Sequence, residues 1–120
     1  MITKKAKKEY LRNKLATNRT WAERGLMLIY GKQTSDEQTQ GDTKYDNKIG
    51  FSGAHAEIMS SFAKWVEADR DLTDKQLKIV FKIIPKYWKQ IMGECNEKIL
   101  LQNMLNDGVI TDAEFVVEAL

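Results

Sequence analysis

Apolar residues along most of this chain recur every three or four positions, which is the period of an amphipathic α-helix. Ile58, Phe62 and Trp65 show the spacing clearly and predict one buried helix face, with Met59 and Val66 beside them. The same pattern predicts helices over residues 4–16, 20–38, 54–68, 74–92, 94–105 and a short last helix from Thr111. No useful length of sequence alternates with the two-residue period of a strand. We therefore expect an all-α fold, a compact bundle of about five helices.

Three motifs with capping-box spacing mark helix starts, because a Thr hydroxyl can accept the amide three residues on while a Glu or Gln there reaches back. They are Thr20-x-x-Glu23, Thr73-x-x-Gln76 and Thr111-x-x-Glu114. Pro85 falls inside the fourth helical segment. Since proline has no amide hydrogen to donate, it must either kink that helix or restart it as a first-turn residue.

A loop that contains three glycines, residues 41–53, separates the second and third helices. It is longer than most connections in compact domains, and loops of this length are often functional or disordered. Tyr45 and Phe51 are aromatic surfaces on which a nucleic-acid base could stack. The commoner role for Phe51, beside a helix start, is that of a hydrophobic plug that seats the loop.

The 120 residues, 42% of them apolar, suit a single helical domain that spans residues 1–120. Residues 1–17 are candidates for a basic N-terminal helix that packs loosely. The single cysteine, Cys95, excludes an internal disulfide framework and suits a reducing compartment. No stretch approaches the roughly 20 apolar residues of a membrane span, and the basic N-terminus is not followed by an apolar signal-peptide core. We expect a cytoplasmic protein, in the host cytoplasm if a phage encodes it.

Charge is distributed unevenly along the chain although the net charge is only +2. Residues 1–32 contain nine Lys or Arg against two acids, a net charge of +7, and the remaining residues contain ten against fifteen, a net charge of −5. Such asymmetry is a hint of contact with a polyanion. A lysine-rich leader that only aids solubility is the alternative.

The most informative feature is a set of lysines spaced three, four, four and three residues apart, which we call the lysine row: Lys75, Lys78, Lys82, Lys86 and Lys89. At about 100° per residue, their side chains fall within an arc of about 80° on one helix face. The opposite face would anchor the helix to the core through Leu77, Val80, Phe81, Ile84, Tyr87, Trp88 and Ile91.

Five like charges in line work mildly against a helix, because like charges at this spacing cost a few tenths of a kcal/mol each. A nucleic-acid backbone would reverse that cost by accepting phosphate contacts and releasing counterions. Lys44 and Lys48 in the loop could add to the contacts. Two other interpretations stay open: lysine is a favoured surface helix former, and the row could face an acidic protein partner.

No catalytic constellation can be assembled from the sequence. The one histidine, His55, and the one cysteine, Cys95, lie forty residues apart, and no phosphate-binding glycine motif or zinc-ligand spacing occurs. We therefore predict a protein that is not an enzyme, with no cofactor, no metal site, no small-molecule substrate and no membrane partner.

The middle of the chain, about residues 44–91, resembles a small helical module of phage and bacterial proteins. The resemblance rests on Asn47-x-x-Gly50-Phe51, Ala56-x-x-x-Ser60-Ser61-x-Ala63, Leu72-Thr73-x-Lys75-Gln76 and Lys82-x-x-Pro85-Lys86-Tyr87-x-x-Gln90. That module occurs free-standing or beside helicases and other DNA-processing domains, so the resemblance implies a phage or mobile-element setting and a role near DNA. The chain departs from the pattern at His55, where the family has an acid, and at Asp69-Arg70-Asp71, where it has Gly-Arg.

Two functions of different classes follow from these observations. The first is a nucleic-acid-binding accessory module of low sequence specificity, which binds DNA through the lysine row with help from Lys44, Lys48 and the basic N-terminus. The second is a protein-interaction factor, such as a phage-encoded inhibitor or adaptor of a host, replication or defence enzyme. Its candidate contacts are Phe115, Val116, Val117 and Leu120, although a last helix that closes the domain's own core would explain the same residues.

Overall fold

A computed structural model describes the backbone of residues 2–40 and 50–119 and the side chains of residues 2–33 and 50–118. Within these residues the chain forms seven α-helices, one 3-10 turn and no strand, so the all-α prediction is confirmed. The helices are α1 (Lys4–Thr17), α2 (Arg19–Gln40), α3 (Gly53–Glu67), α4 (Asp74–Ile83), α5 (Trp88–Glu94), α6 (Glu97–Asn106) and α7 (Asp112–Ala119), and the 3-10 turn is Ile84–Tyr87. None of the helices in the described ranges has the length and apolar character that crossing a membrane requires.

The main hydrophobic core surrounds α2, whose Ala22, Leu26 and Ile29 are fully buried. Side chains of α1, α3, α4, the 3-10 turn and α5 pack around them. A second, smaller cluster joins Ile2 and Tyr10 to α6 and to the turn before α7. Together the two clusters account for the fold, because every helix contributes a buried or half-buried apolar side chain to one of them.

Helix α1 is packed firmly, which corrects the expectation of a loose helix over residues 1–17. Leu11 and Leu15 are fully buried in the main core, while Tyr10, on another side of the helix, is buried in the second cluster. The helix therefore lies between the two clusters. Burial of each Leu side chain contributes roughly 2 kcal/mol to the packing of this 14-residue helix.

Two of the three predicted capping boxes are present. Thr73 and Gln76 exchange both bonds at the start of α4, and Thr111 and Glu114 do the same before α7. The third, at Thr20, is wrong because Asn18 is nearer the chain reversal: its side-chain oxygen accepts the Trp21 amide, so α2 begins at Arg19. Thr20 then lies inside the helix.

Pro85 restarts the helix and does not merely bend it. The last amide bond of α4 is donated by Ile84 to the Val80 carbonyl, and the backbone then tightens into the 3-10 turn with Pro85 buried in its first half. Trp88 donates to the Pro85 carbonyl and begins α5.

The buried face of α3 overlaps the predicted one but is rotated towards Met59 and Ala63. Met59, Phe62 and Ala63 are buried, whereas Ile58 and Trp65 are 37% and 36% exposed. The small Ala63 side chain lies on the face that packs, and the prediction had centred the face on the larger residues. Trp65 instead donates its indole hydrogen to the Asp71 carbonyl and stacks under Arg70 at the corner that leads to α4.

Candidate nucleic-acid interface

All five side chains of the lysine row are exposed, and the side of the segment that faces the core is apolar. Val80, Ile84, Tyr87 and Ile91 are buried on that side. The other predicted anchors, Leu77, Phe81 and Trp88, are half-buried against the same core. Helix propensity alone would place lysines anywhere on the surface, whereas here every lysine of the segment lies opposite its buried side.

No acid of the described residues neutralises the row. The ion pairs within residues 2–33 and 50–118 involve Lys7, Lys14, Arg19 and Lys32, and none involves a row lysine. The five ammonium groups therefore have no ion-pair partner among the described residues, and their field falls off over about 8 Å at physiological salt.

The row crosses the helix restart at Pro85. Lys75, Lys78 and Lys82 lie on α4, Lys86 lies in the 3-10 turn and Lys89 lies on α5. The 3-10 turn rises about 2.0 Å per residue against 1.5 Å in an α-helix, so consecutive lysines of the row are about 5–8 Å apart along the chain axis.

The described end of the loop lies against the C-terminal half of the row. Gln90 accepts the Gly50 amide at 2.9 Å and donates to the Gly50 carbonyl at 3.1 Å. The Ser52 amide donates to the Tyr87 hydroxyl at 2.9 Å. The described loop end is therefore anchored to Tyr87 and Gln90, which are the sequence neighbours of Lys86 and Lys89. The predicted contacts Lys44 and Lys48, and the aromatic Tyr45, lie outside the described residues.

Phe51 is a buried plug, as its position beside a helix start suggested. Its ring packs edge-on against Tyr87 with 5.3 Å between centroids, and its amide donates to the Gln33 side chain. A side chain held in this way has no free ring face on which a base could stack.

Gly50 is required by the close approach of the loop to α2. Its φ is +82°, and a β-carbon there would be 2.6 Å from the β-carbon of Gln33. Gln33 holds this junction together, because it accepts the Phe51 amide and donates to the Ser60 hydroxyl of α3. Sequence reasoning did not identify Gln33, and it named Gln90 only as part of the resemblance, since a single amide side chain carries no spacing signal.

His55 and Cys95 do not form a nucleophile–base pair, because they lie in different parts of the molecule. The His55 Nδ1 atom is 2.8 Å from the Tyr87 hydroxyl at the loop junction. Cys95 follows α5 and is half-buried, and burial together with the charge of Glu94 raises its pKa, which reduces its thiolate fraction. No group of three or more His, Cys, Asp or Glu side chains in the described part of the chain is placed to hold a metal ion.

Much of the positive charge of residues 1–32 is neutralised within the molecule. Acids from the −5 part of the chain pair with three of these cations, in the pairs Lys7–Glu97, Lys14–Asp107 and Lys32–Glu94. Arg19 pairs with Glu23 on the next turn of α2 and donates to the Leu72 carbonyl. The charge asymmetry is therefore partly structural, and it overstates the charge that is left for a partner.

Two of the candidate protein-interaction residues are exposed. Val116 and Val117 on α7 are 52% and 72% exposed, while Phe115 packs against the second cluster. Leu120 lies outside the described residues.

Comparison of the chain with family models, with curated proteins and with solved structures finds no match. The resemblance to a phage and bacterial module therefore stays a prediction. Four of the residues on which it rests, Gly50, Phe51, Tyr87 and Gln90, meet at the loop junction. In this structure they join helices and carry no evident chemistry.

Proposed function

We propose that the protein is a non-enzymatic nucleic-acid-binding accessory module of phage or mobile-element origin, which binds DNA phosphates through the lysine row with low sequence specificity. The observation that supports this function is the row itself: five exposed ammonium groups on the side of one helical segment opposite the core, without an acid partner among the described residues.

The free-energy argument favours a polyanion. Like charges three or four residues apart destabilise a helix by a few tenths of a kcal/mol, so the free protein gains nothing from the row. Contact with phosphates removes that repulsion and releases counterions from the nucleic acid. Lysine offers a point charge without the planar fork with which arginine reads guanine, so the row favours binding that is nearly independent of sequence.

Anisotropy titrations of a labelled DNA duplex at 50 and 200 mM salt test the proposal. Five phosphate contacts from the row alone give a slope of about −4.5 in log affinity against log salt, a loss of roughly 500-fold between the two concentrations, and contacts from other cations would make the slope steeper. Lys78→Glu/Lys82→Glu should weaken binding at 50 mM salt by at least tenfold. The control Lys64→Glu/Lys98→Glu makes the same change in net charge at exposed lysines on α3 and α6.

The proposal fails if the duplex does not bind at 50 mM salt, or if the row variant and its control weaken binding equally. The second outcome would mean that net charge, and not the row, attracts the DNA. Circular dichroism of both variants checks that the exposed substitutions leave the helices intact.

A protein-interaction factor is the second candidate, and the exposure of Val116 and Val117 is the observation that favours it. Aliphatic side chains exposed in this way on a short helix are suited to an apolar contact with another protein. A stoichiometric partner that survives nuclease and high salt, and that a Val117→Asp variant no longer retains, would favour this function over the first.

A further inference from the structure

We infer that the nucleic-acid surface has a second bank of cations on α1, formed by Lys5, Lys8 and Arg12, and that its ligand is a duplex held by both of its backbones. This inference rests on the proposed function of the lysine row. It adds three residues to the proposed binding surface and specifies a duplex as the nucleic acid that binds.

The two flanks of α1 carry cations with different partners. Lys7 and Lys14, seven residues apart and so on the same flank, pair with Glu97 and Asp107 of the α6 region. Lys5, Lys8 and Arg12 are spaced three and four residues apart, the spacing found within the lysine row, and lie on the other flank. None of these three forms an ion pair with a described residue.

The free flank of α1 is placed beside the segment that carries the row. Helix α1 packs against α4, the 3-10 turn and α5. The Lys8 ammonium lies over the Trp88 ring, 4.8 Å from its centroid, and Trp88 is the residue between Tyr87 and Lys89. A cation over an indole face is worth about 0.5–1 kcal/mol at an exposed site, so this contact orients Lys8 beside the C-terminal end of the row.

The placement of the two banks on helices that pack together suits a duplex. Packed helices have axes about 8–10 Å apart. The grooves of duplex DNA separate its two backbones by about 6 Å and 12 Å. Cations on two packed helices can therefore reach phosphates on both sides of one groove, whereas a single strand following the row would leave the α1 bank unused.

The experiment measures salt slopes for the full-length protein on a duplex and on a single strand of the same length. Lys5→Gln/Lys8→Gln/Arg12→Gln should reduce the duplex slope by about 2.7, or 0.9 for each lost contact, and leave the single-strand slope unchanged. Removal of the contact between the Lys8 ammonium and the Trp88 ring could disturb α1. The variant Lys5→Gln/Arg12→Gln, which keeps that contact, is therefore measured as well and should reduce the duplex slope by about 1.8. The control is Arg24→Gln/Lys64→Gln/Lys98→Gln, which removes three exposed cations from other surfaces.

If both α1 variants keep the wild-type duplex slope while the row variant loses binding, the second bank is wrong and the proposed function stands. If the α1 variants reduce the single-strand slope as well, the two-backbone contact is wrong. If neither the row variant nor the α1 variants change binding, the proposed function and this inference are both wrong.

Discussion

Gly25 of α2 shows how closely the helices approach at the scale of one residue. A β-carbon at this position would be 3.0 Å from Leu15, 3.1 Å from Ile91 and 3.3 Å from Ile84. Gly25→Ala should gain up to about 1 kcal/mol of helix propensity but lose about 1–3 kcal/mol to overpacking, because side chains of three elements would have to move. We expect the free energy of unfolding to fall by about 1–2 kcal/mol in urea titration.

The matched control for Gly25 is Gly93 of α5, which has open space around the same position among the described residues. Gly93→Ala should leave stability unchanged or raise it by up to about 1 kcal/mol. A Gly25→Ala variant as stable as Gly93→Ala would show that the contact of α2 with α1 and α5 is looser than the distances indicate.

At the scale of the elements, the junction of the loop end with α5 rests on one amide side chain. Gln90 makes two hydrogen bonds to the buried Gly50 backbone. Gln90→Leu removes both, and leaving a buried donor and acceptor unsatisfied costs about 1–3 kcal/mol. We expect a loss of about 2 kcal/mol in the free energy of unfolding. Gln102 is an exposed residue of α6 whose side-chain amide bonds only Asn106. Gln102→Leu should therefore change the free energy of unfolding by less than about 0.5 kcal/mol.

An equal effect of the two glutamine substitutions would contradict a structural role for Gln90. Retention of stability in Gln90→Leu together with loss of DNA binding would instead make Gln90 part of the interface. The measurement thus decides whether Gln90 and the loop junction that it holds serve the fold of this protein or the proposed binding.

The sequence predicted elements well where the signal is local. The capping boxes at Thr73 and Thr111 each depend on two residues three positions apart, and both formed. The exposed side of the α4–α5 segment was predictable for the same reason, because one helical period fixes which residues oppose the core. The start of α2 was missed since Asn18 competed with Thr20 for the same helix end.

Contacts between distant residues could not be predicted from spacing. Gln33 and Gln90 meet the loop end from two helices, and neither residue type at those positions indicates a partner. The buried face of α3 was predicted only in part, because apolar size, which favoured Trp65, does not show which row of side chains another helix will cover. The pairing of Lys7 with Glu97, ninety residues away, is likewise set only by the packing of α1 on α6.

For the whole molecule, the distribution of charge is the property that joins fold to function. Cations on one flank of α1 are neutralised by acids of the α6 region and so stabilise the fold, whereas those on its other flank and on the lysine row have no acid partner among the described residues. Net charge therefore does not distinguish the cations that stabilise the fold from those that would bind DNA under the proposed function. The pH dependence of stability tests one of the internal pairs, that of Lys14 with Asp107.

Asp107, which pairs with Lys14, makes the stability of the protein depend on pH. Hydrogen bonds from Lys14 and then from Tyr10 lower its pKa below the ordinary value. A carboxyl group with a lowered pKa in the folded state contributes stability that is present above its unfolded pKa and is lost as the pH falls through the folded pKa. Asp107→Asn should therefore destabilise the protein at neutral pH, and the difference from the wild type should shrink towards zero as the medium is made acidic.

Urea unfolding of the wild type and of Asp107→Asn at a series of pH values from neutral to strongly acidic measures this difference. Glu57→Gln, at an exposed acid beyond the first turn of α3 for which neither a salt bridge nor a side-chain hydrogen bond is found, is the control and should track the wild type throughout. A difference that is constant with pH would mean that Asp107 acts by packing alone. Since Tyr10 and Lys14 lie on the flank of α1 away from the free cations, Asp107→Asn should also leave the salt slope of DNA binding unchanged at neutral pH, so that stability and binding respond to separate sets of charges on one helix.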